Sequence, residues 1–186
     1  MARPPKARLP IKEAALQLFV EHGVHATGIR EIARAAGCSE AALYRHWPNK
    51  EGLVDALFRE HLDDVTQRLD QAIASHEALA DRVFAACQSC YRLYDEQPLV
   101  FRFVLLVQHE LSKNLEPGTR GPQDVVVDLV RAAVKRGECR VDPPLAAAAL
   151  IGVFLQTATF VLYGRLPGPL SRYADAVSAT AMRILI

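Results

Sequence analysis

The sequence predicts an all-α protein of about nine helices, in which a short three-helix helix-turn-helix domain precedes a larger helical body. Three observations carry that prediction. Apolar residues recur at helical spacing along nearly the whole chain, and no stretch shows the period of two that a half-buried strand requires. Gly and Pro fall at the joins between these stretches, where they interrupt helices. Only Gly37 and Cys38 separate the second stretch from the third, and two short helices joined so tightly stand at a steep angle.

Residues 1–10 contain Pro4, Pro5 and Pro10 beside Arg3, Lys6 and Arg8, and read as a flexible basic arm. A first helix is predicted over 11–22, because Ile11, Ala14, Ala15, Leu18 and Phe19 form one apolar stripe; Gly23 stops it. Thr27 or Gly28 caps a second helix, with Ile29, Ile32, Ala33 and Ala36 facing inward and Gly37 ending it. Ser39 caps a third, short helix that runs to about Trp47, where Pro48 and Asn49 break it. The fourth is long, about 50–75. Its stripe of Leu53, Leu57, Leu62, Val65, Leu69 and Ile73 faces the core, and Asp55, Glu60, Asp64 and Arg68 face water.

Further helices are expected near 77–95, 98–113, 121–136, 144–163 and 170–186. Pro98, Glu116-Pro117-Gly118, Gly137, Pro143-Pro144 and 164–169 mark the joins. Residues 145–163 carry no charge and reach the length of a membrane span. They are rich in Ala and Gly, however, and include Gln156, Thr157 and Thr159; the next helix also has an apolar face of its own. A helix apolar all round is read here as buried in a bundle or subunit interface, and no membrane is expected.

Of the 186 residues, 51% are hydrophobic and 23% charged, which excludes a disordered chain. The net charge is only +1, but residues 1–50 carry +4 and the remainder −3, the asymmetry of a polyanion-binding end. No apolar run follows the N-terminal cations, so no secretory signal is visible. Cys38, Cys87, Cys90 and Cys139 lack the spacing of a disulfide framework, and the Cys87-x-x-Cys90 pair lies inside a helical pattern. A cytoplasmic protein without metal or cofactor is expected.

The helix-turn-helix carries the candidate site. Leu43 points back to the core with Ile32 and Ala33, which leaves Ser39, Glu40, Ala42, Tyr44, Arg45 and His46 for solvent or a partner. Together with Lys50, these side chains suit contacts to phosphates and base edges. The start of the second helix, from Thr27 to Arg30, adds N–H donors for a phosphate.

The run from Thr27 to Lys50 resembles the TetR/AcrR family of bacterial regulators. The matching features are Thr27, Ile32-Ala33, Ala36-Gly37, Ser39, Leu43-Tyr44-x-His46, Lys50 and Leu53, with Ala14-Ala15, Leu18, Phe19 and Gly23 upstream. Trp47 stands where the family usually has Phe. The resemblance implies a homeodomain-like DNA-binding domain over 1–50, with the motif at about 28–47, a linking helix over 50–75, and a ligand-binding and dimerisation domain over 76–186. It implies that Tyr44, His46 and Lys50 contact operator phosphates, and that Thr27, Ser39, Glu40, Ala42 and Arg45 occupy positions that face DNA; Arg30, at the start of the second helix, is a further candidate DNA contact. An acid at Glu40 repels phosphate unless it reads a cytosine amine.

The partners implied are a palindromic double-stranded operator, a second copy joined through 144–163 and 170–186, and a small, largely apolar effector. Candidate effector contacts are Tyr91, Tyr94, Phe103, Val107, Gln108, His109, Gln156 and Phe160. A repressor is expected by family habit. The alternatives are a ligand-dependent activator, a membrane-associated regulator using 145–163, and a helical enzyme with an accessory DNA-like module. The last finds no nucleophile–base pair, metal cluster or phosphate loop in its favour.

Overall fold

The computed structural model describes residues 8–111 and 118–186, apart from the side chains of Leu106, His109 and Glu110. The arm over 1–7, the last residues of the predicted 98–113 helix and the Glu116-Pro117 join lie outside the described residues. Every regular element among them is helical: α1 (Arg8–His22), α2 (Ile29–Ala35), α3 (Glu40–Tyr44), α4 (Lys50–Ala74), α5 (Leu79–Glu96), α6 (Pro98–Leu111), α7 (Pro122–Lys135), α8 (Pro143–Leu162) and α9 (Ala174–Leu185). The all-α expectation holds. One boundary moves: α1 takes in Arg8, Leu9 and Pro10, which were read as arm. Proline fits there because the first helical turn has no N–H partner to lose.

The described chain forms two compact units. One comprises the described residues of Met1–His61 and Leu99–Pro117, the other Leu62–Pro98 and Gly118–Ile186. This grouping cuts across the boundary near 75 read from the sequence, because α6 joins the N-terminal helices and α4 contributes to both units.

In the first unit α1 packs on α2 and α2 on α3. Ile11, Phe19, Ile32, Leu43 and Leu53 are fully buried, as the apolar periodicity requires. Phe103 of α6 is fully buried as well, stacked on Phe19 at 6.0 Å and edge-on to His61 at 6.4 Å. Lys12 of α1 is ion-paired with Glu60 of α4.

The second unit is built from α5 on α9, α7 on α8 and α8 on α9. Its core includes Leu79, Val83, Leu129, Val130, Leu150 and Leu185. Two orphan amides at the start of a 3-10 turn, Leu170–Tyr173, find an acceptor far away in sequence. The Asp95 carboxylate accepts from Leu170 N at 2.7 Å and Ser171 N at 2.9 Å. The predicted 170–186 helix therefore splits into that turn and α9.

Candidate functional site

The tight turn between α2 and α3 is built by backbone chemistry. Gly37 has φ +64°, a left-handed conformation that costs a residue without Cβ little. It lets Cys38 N donate to Ala33 O at 2.9 Å and Gly37 N to Arg34 O at 3.1 Å, closing the last turn of α2. Ser39 then starts α3 by accepting from Ala42 N at 3.1 Å. Gly28, rather than Thr27, caps α2, and it does so without a side-chain bond.

This geometry sorts the predicted DNA-facing residues. Tyr44 is 48% exposed, Arg45, Ser39 and Arg30 are exposed, and Glu40 and His46 are half-buried. Arg30 and Glu40 meet across the turn at 3.0 Å, so the acid on α3 is neutralised by a cation on α2. That pairing answers the objection that Glu40 repels phosphate, because the two side chains together present no net charge.

Three expected residues are placed differently. Ala42 is 7% exposed and packs inward beside Leu43; its single methyl does not reach past a backbone held close to α2. Thr27 is 1% exposed, and its hydroxyl donates to Leu18 O at 3.2 Å and Gly23 O at 2.8 Å. Its side chain ties the α1–α2 turn together. Lys50 Nζ donates to Val24 O at 2.9 Å, Thr27 O at 3.2 Å and His25 O at 3.3 Å. An ammonium has three protons, and all three are engaged with that same turn.

Sequence reasoning missed Arg8. As the first residue of α1 its guanidinium lies 5.8 Å from the centre of the Trp47 ring, which is otherwise buried and packs beside His46 at 5.6 Å. No periodic signal links positions 8 and 47. The cue was compositional only, an arginine in a basic stretch and an aromatic ending the third helix.

The candidate effector residues fall in both units. Phe103 and Val107 are buried in the first unit, where Gln108 is half-buried. The side chain of His109 lies outside the described residues. In the second unit Tyr91 and Tyr94 are buried, whereas Gln156 and Phe160 face outward, Phe160 with 41% exposure. Gln156 and Phe160 therefore do not line an interior site with Tyr91: four positions apart, they lie on the outer stripe of α8.

Tyr91 is the polar centre of the interior of that unit. Its hydroxyl donates to Phe154 O at 3.1 Å and its ring meets Phe154 edge-on at 6.5 Å. Burial, and then the neighbouring Cys87, hold its phenol above the usual range. Burial also pushes the thiols of Cys87 and Cys90 up to about 12. Such thiols stay protonated and behave as small apolar groups. Grooves of about 360 and 310 Å³ lie elsewhere, one along α1 and α2 beside Ala14 and Ala36, the other along α4 and α5 beside Ala72, Ala85 and Arg92.

The helix α8 is long and apolar enough to cross a bilayer, and only 22% of its most apolar stretch is buried. Asp142 starts it by accepting from Leu145 N at 2.9 Å. Leu145 at 71% exposure, Phe160 at 41% and Tyr163 at 71% lie along its open side, with Ala148, Gly152 and Gln156 between them.

Known proteins share this fold. Residues 11–57 match the family described as bacterial regulatory proteins, tetR family. The HTH-type transcriptional activator FasR of Mycolicibacterium smegmatis is 27% identical over 121 residues, 63% of this chain and 55% of FasR, so the chain spans about half of that relative's length. The HTH-type transcriptional repressor AcnR of Corynebacterium glutamicum is 27% identical over 97% of this chain and 88% of its own. The fold is that of FadR from Bacillus subtilis, solved in complex with stearoyl-CoA, with a TM-score of 0.78 at 17% identity over 96% of this chain and 99% of that one. These relatives are transcription regulators rather than enzymes. Over residues 11–57, then, this chain is similar to the tetR family of bacterial regulatory proteins.

Proposed function

We propose that the chain is a DNA-binding transcription regulator of the cytoplasm that binds a palindromic operator as a homodimer and is released from it by a small, largely apolar effector. The observation that carries this reading is the division of α3, which buries Leu43 completely while leaving Tyr44 and Arg45 in solvent. A short helix with one face in the core and a polar, cationic end outside is built to enter a groove. Residues 1–50 would bind DNA, 50–75 would link, and 76–186 would sense the effector and dimerise. The second copy would cover the open side of α8 together with α9, since an apolar stripe of that length is costly to leave in water. Two-fold symmetry would then set the two recognition helices roughly 34–36 Å apart.

The effector is proposed to be apolar because Tyr91 is set among Phe154 and the protonated thiols of Cys87 and Cys90. The stearoyl-CoA held by Bacillus subtilis FadR supports an acyl chain as the first class to test. Repression is the first reading of the regulatory sign, in line with AcnR; FasR, an activator, supports ligand-dependent activation as the second.

Selection of random duplexes against the purified protein tests the proposal. An enriched palindrome is expected, and Tyr44→Ala should lose retention of it in a gel shift with helicity unchanged. Failure to enrich any sequence would overturn the reading. Purification without detergent as a dimer is the expected result for the α8 face; obligate extraction with membranes would favour the membrane-associated alternative.

A further inference from the structure

We propose that Arg8, seated on the face of Trp47, is a phosphate-binding residue of the DNA interface and that Trp47 is its platform. The inference rests on the DNA-binding reading and extends it to a residue outside the helix-turn-helix. Three observations point there. The guanidinium of Arg8 lies 5.8 Å from the centre of the Trp47 ring, and Trp47 follows directly on Tyr44, Arg45 and His46. Trp47 itself is 4% exposed, so its ring is a fixed surface rather than a moving one. Of the other cations in this unit, Lys12 is engaged with Glu60, Arg30 with Glu40, and Lys50 with three carbonyls, while Arg34 and Arg45 are exposed. Among the described residues no carboxylate pairs with Arg8, which is exposed.

Stacking suits this task. A guanidinium laid on an indole is held by cation–π attraction through its face, while its N–H groups stay free in the plane for two phosphate oxygens. The fork is thus oriented before DNA arrives, and less rotamer freedom is lost on binding. A cation in the first turn of a helix is opposed by the helix dipole. Phosphate reverses that balance, because it is attracted by both the arginine and the helix start.

The experiment is the salt dependence of binding to the enriched duplex, for wild type, Arg8→Ala and Arg8→Lys, with thermal melts to show that each variant folds. Arg8→Ala should weaken binding to specific and unrelated duplexes by a similar factor. It should also lower the slope of log K against log salt by ~0.9 for each arginine lost. Arg8→Lys should restore the slope but not the full affinity, because a point charge replaces a fork. Trp47 is the only tryptophan, so its emission should shift in free Arg8→Ala and respond less to DNA. An unchanged slope in Arg8→Ala, or a slope that Arg8→Lys fails to restore, would overturn the proposal while leaving DNA binding intact. A wild-type protein that binds no duplex would overturn both.

Discussion

The ammonium of Lys50 lies 3.2 Å from the carbonyl oxygen of Thr27, and two further carbonyls of the same turn take its other protons. Thr27 in turn bonds backward to Leu18 and Gly23 through its hydroxyl. Lys50 is the first residue of α4, where a cation is opposed by the helix dipole; the ring of carbonyls offsets that cost. Two residues expected to meet DNA are thereby joined to one another, and they fix the start of α4 against the turn that leads into α2.

Lys50→Met keeps the aliphatic stem and removes the three donors. It is expected to lower stability by about 1 kcal/mol, since the carbonyls are only partly shielded and water replaces some of the lost bonds. Denaturant titration measures it. A variant of wild-type stability that nonetheless binds DNA poorly would show that Lys50 serves the phosphate rather than the turn.

Ser39→Ala removes the side-chain acceptor for Ala42 N at the start of the short helix α3. The expected loss is ~1 kcal/mol, and Ser39→Asp should recover most of it. Equal melting of wild type and Ser39→Ala would contradict the capping role.

The Arg30–Glu40 pair should contribute little to stability, because Arg30 is 82% exposed and Glu40 41%. A double-mutant cycle is expected to give a coupling of roughly 0–1 kcal/mol. DNA affinity should respond more strongly. Glu40→Gln frees a cation and should tighten binding to all duplexes, and Arg30→Ala should weaken it. Opposite signs would mean that Glu40 itself reads a base.

Cys87 is fully buried and its thiol is raised from 9.0 to about 12. Folding thus favours the neutral thiol. The resulting stabilisation is complete below pH 9 and is lost as pH rises from there through about 12. Stability measured across that window should fall more steeply in wild type than in Cys87→Ala. At pH 8, iodoacetamide should modify Cys38 well before Cys87. Rapid labelling of Cys87 in the native protein would show that its burial is transient.

Phe160→Asp places a charge on the open side of α8. If a second copy covers that side, the variant should elute as a folded monomer where wild type elutes as a dimer. An unchanged elution volume would place the dimer contact elsewhere.

Local signals determined much of this protein. Apolar spacing at Ile11, Ala15 and Phe19, the left-handed Gly37 and the Ser39 cap are encoded within a few residues of where they act, so the helices and the tight turn were legible in order. Tertiary structure decided which side chains remain available. Adjacent positions on a helix differ by about 100° in direction. Whether Ala42 or Tyr44 meets solvent therefore depends on where α2 lies, and no short window of sequence records that. The same holds for Thr27 and Lys50, joined across 23 residues, and for Arg8 on Trp47. Phe103 is aromatic and helical, properties that core residues and ligand contacts share. Its packing on Phe19, 84 positions earlier, was settled by chain folding. Sequence named the module; the long-range contacts assigned the tasks within it, because burial and hydrogen-bond partnership belong to pairs of segments rather than to either one.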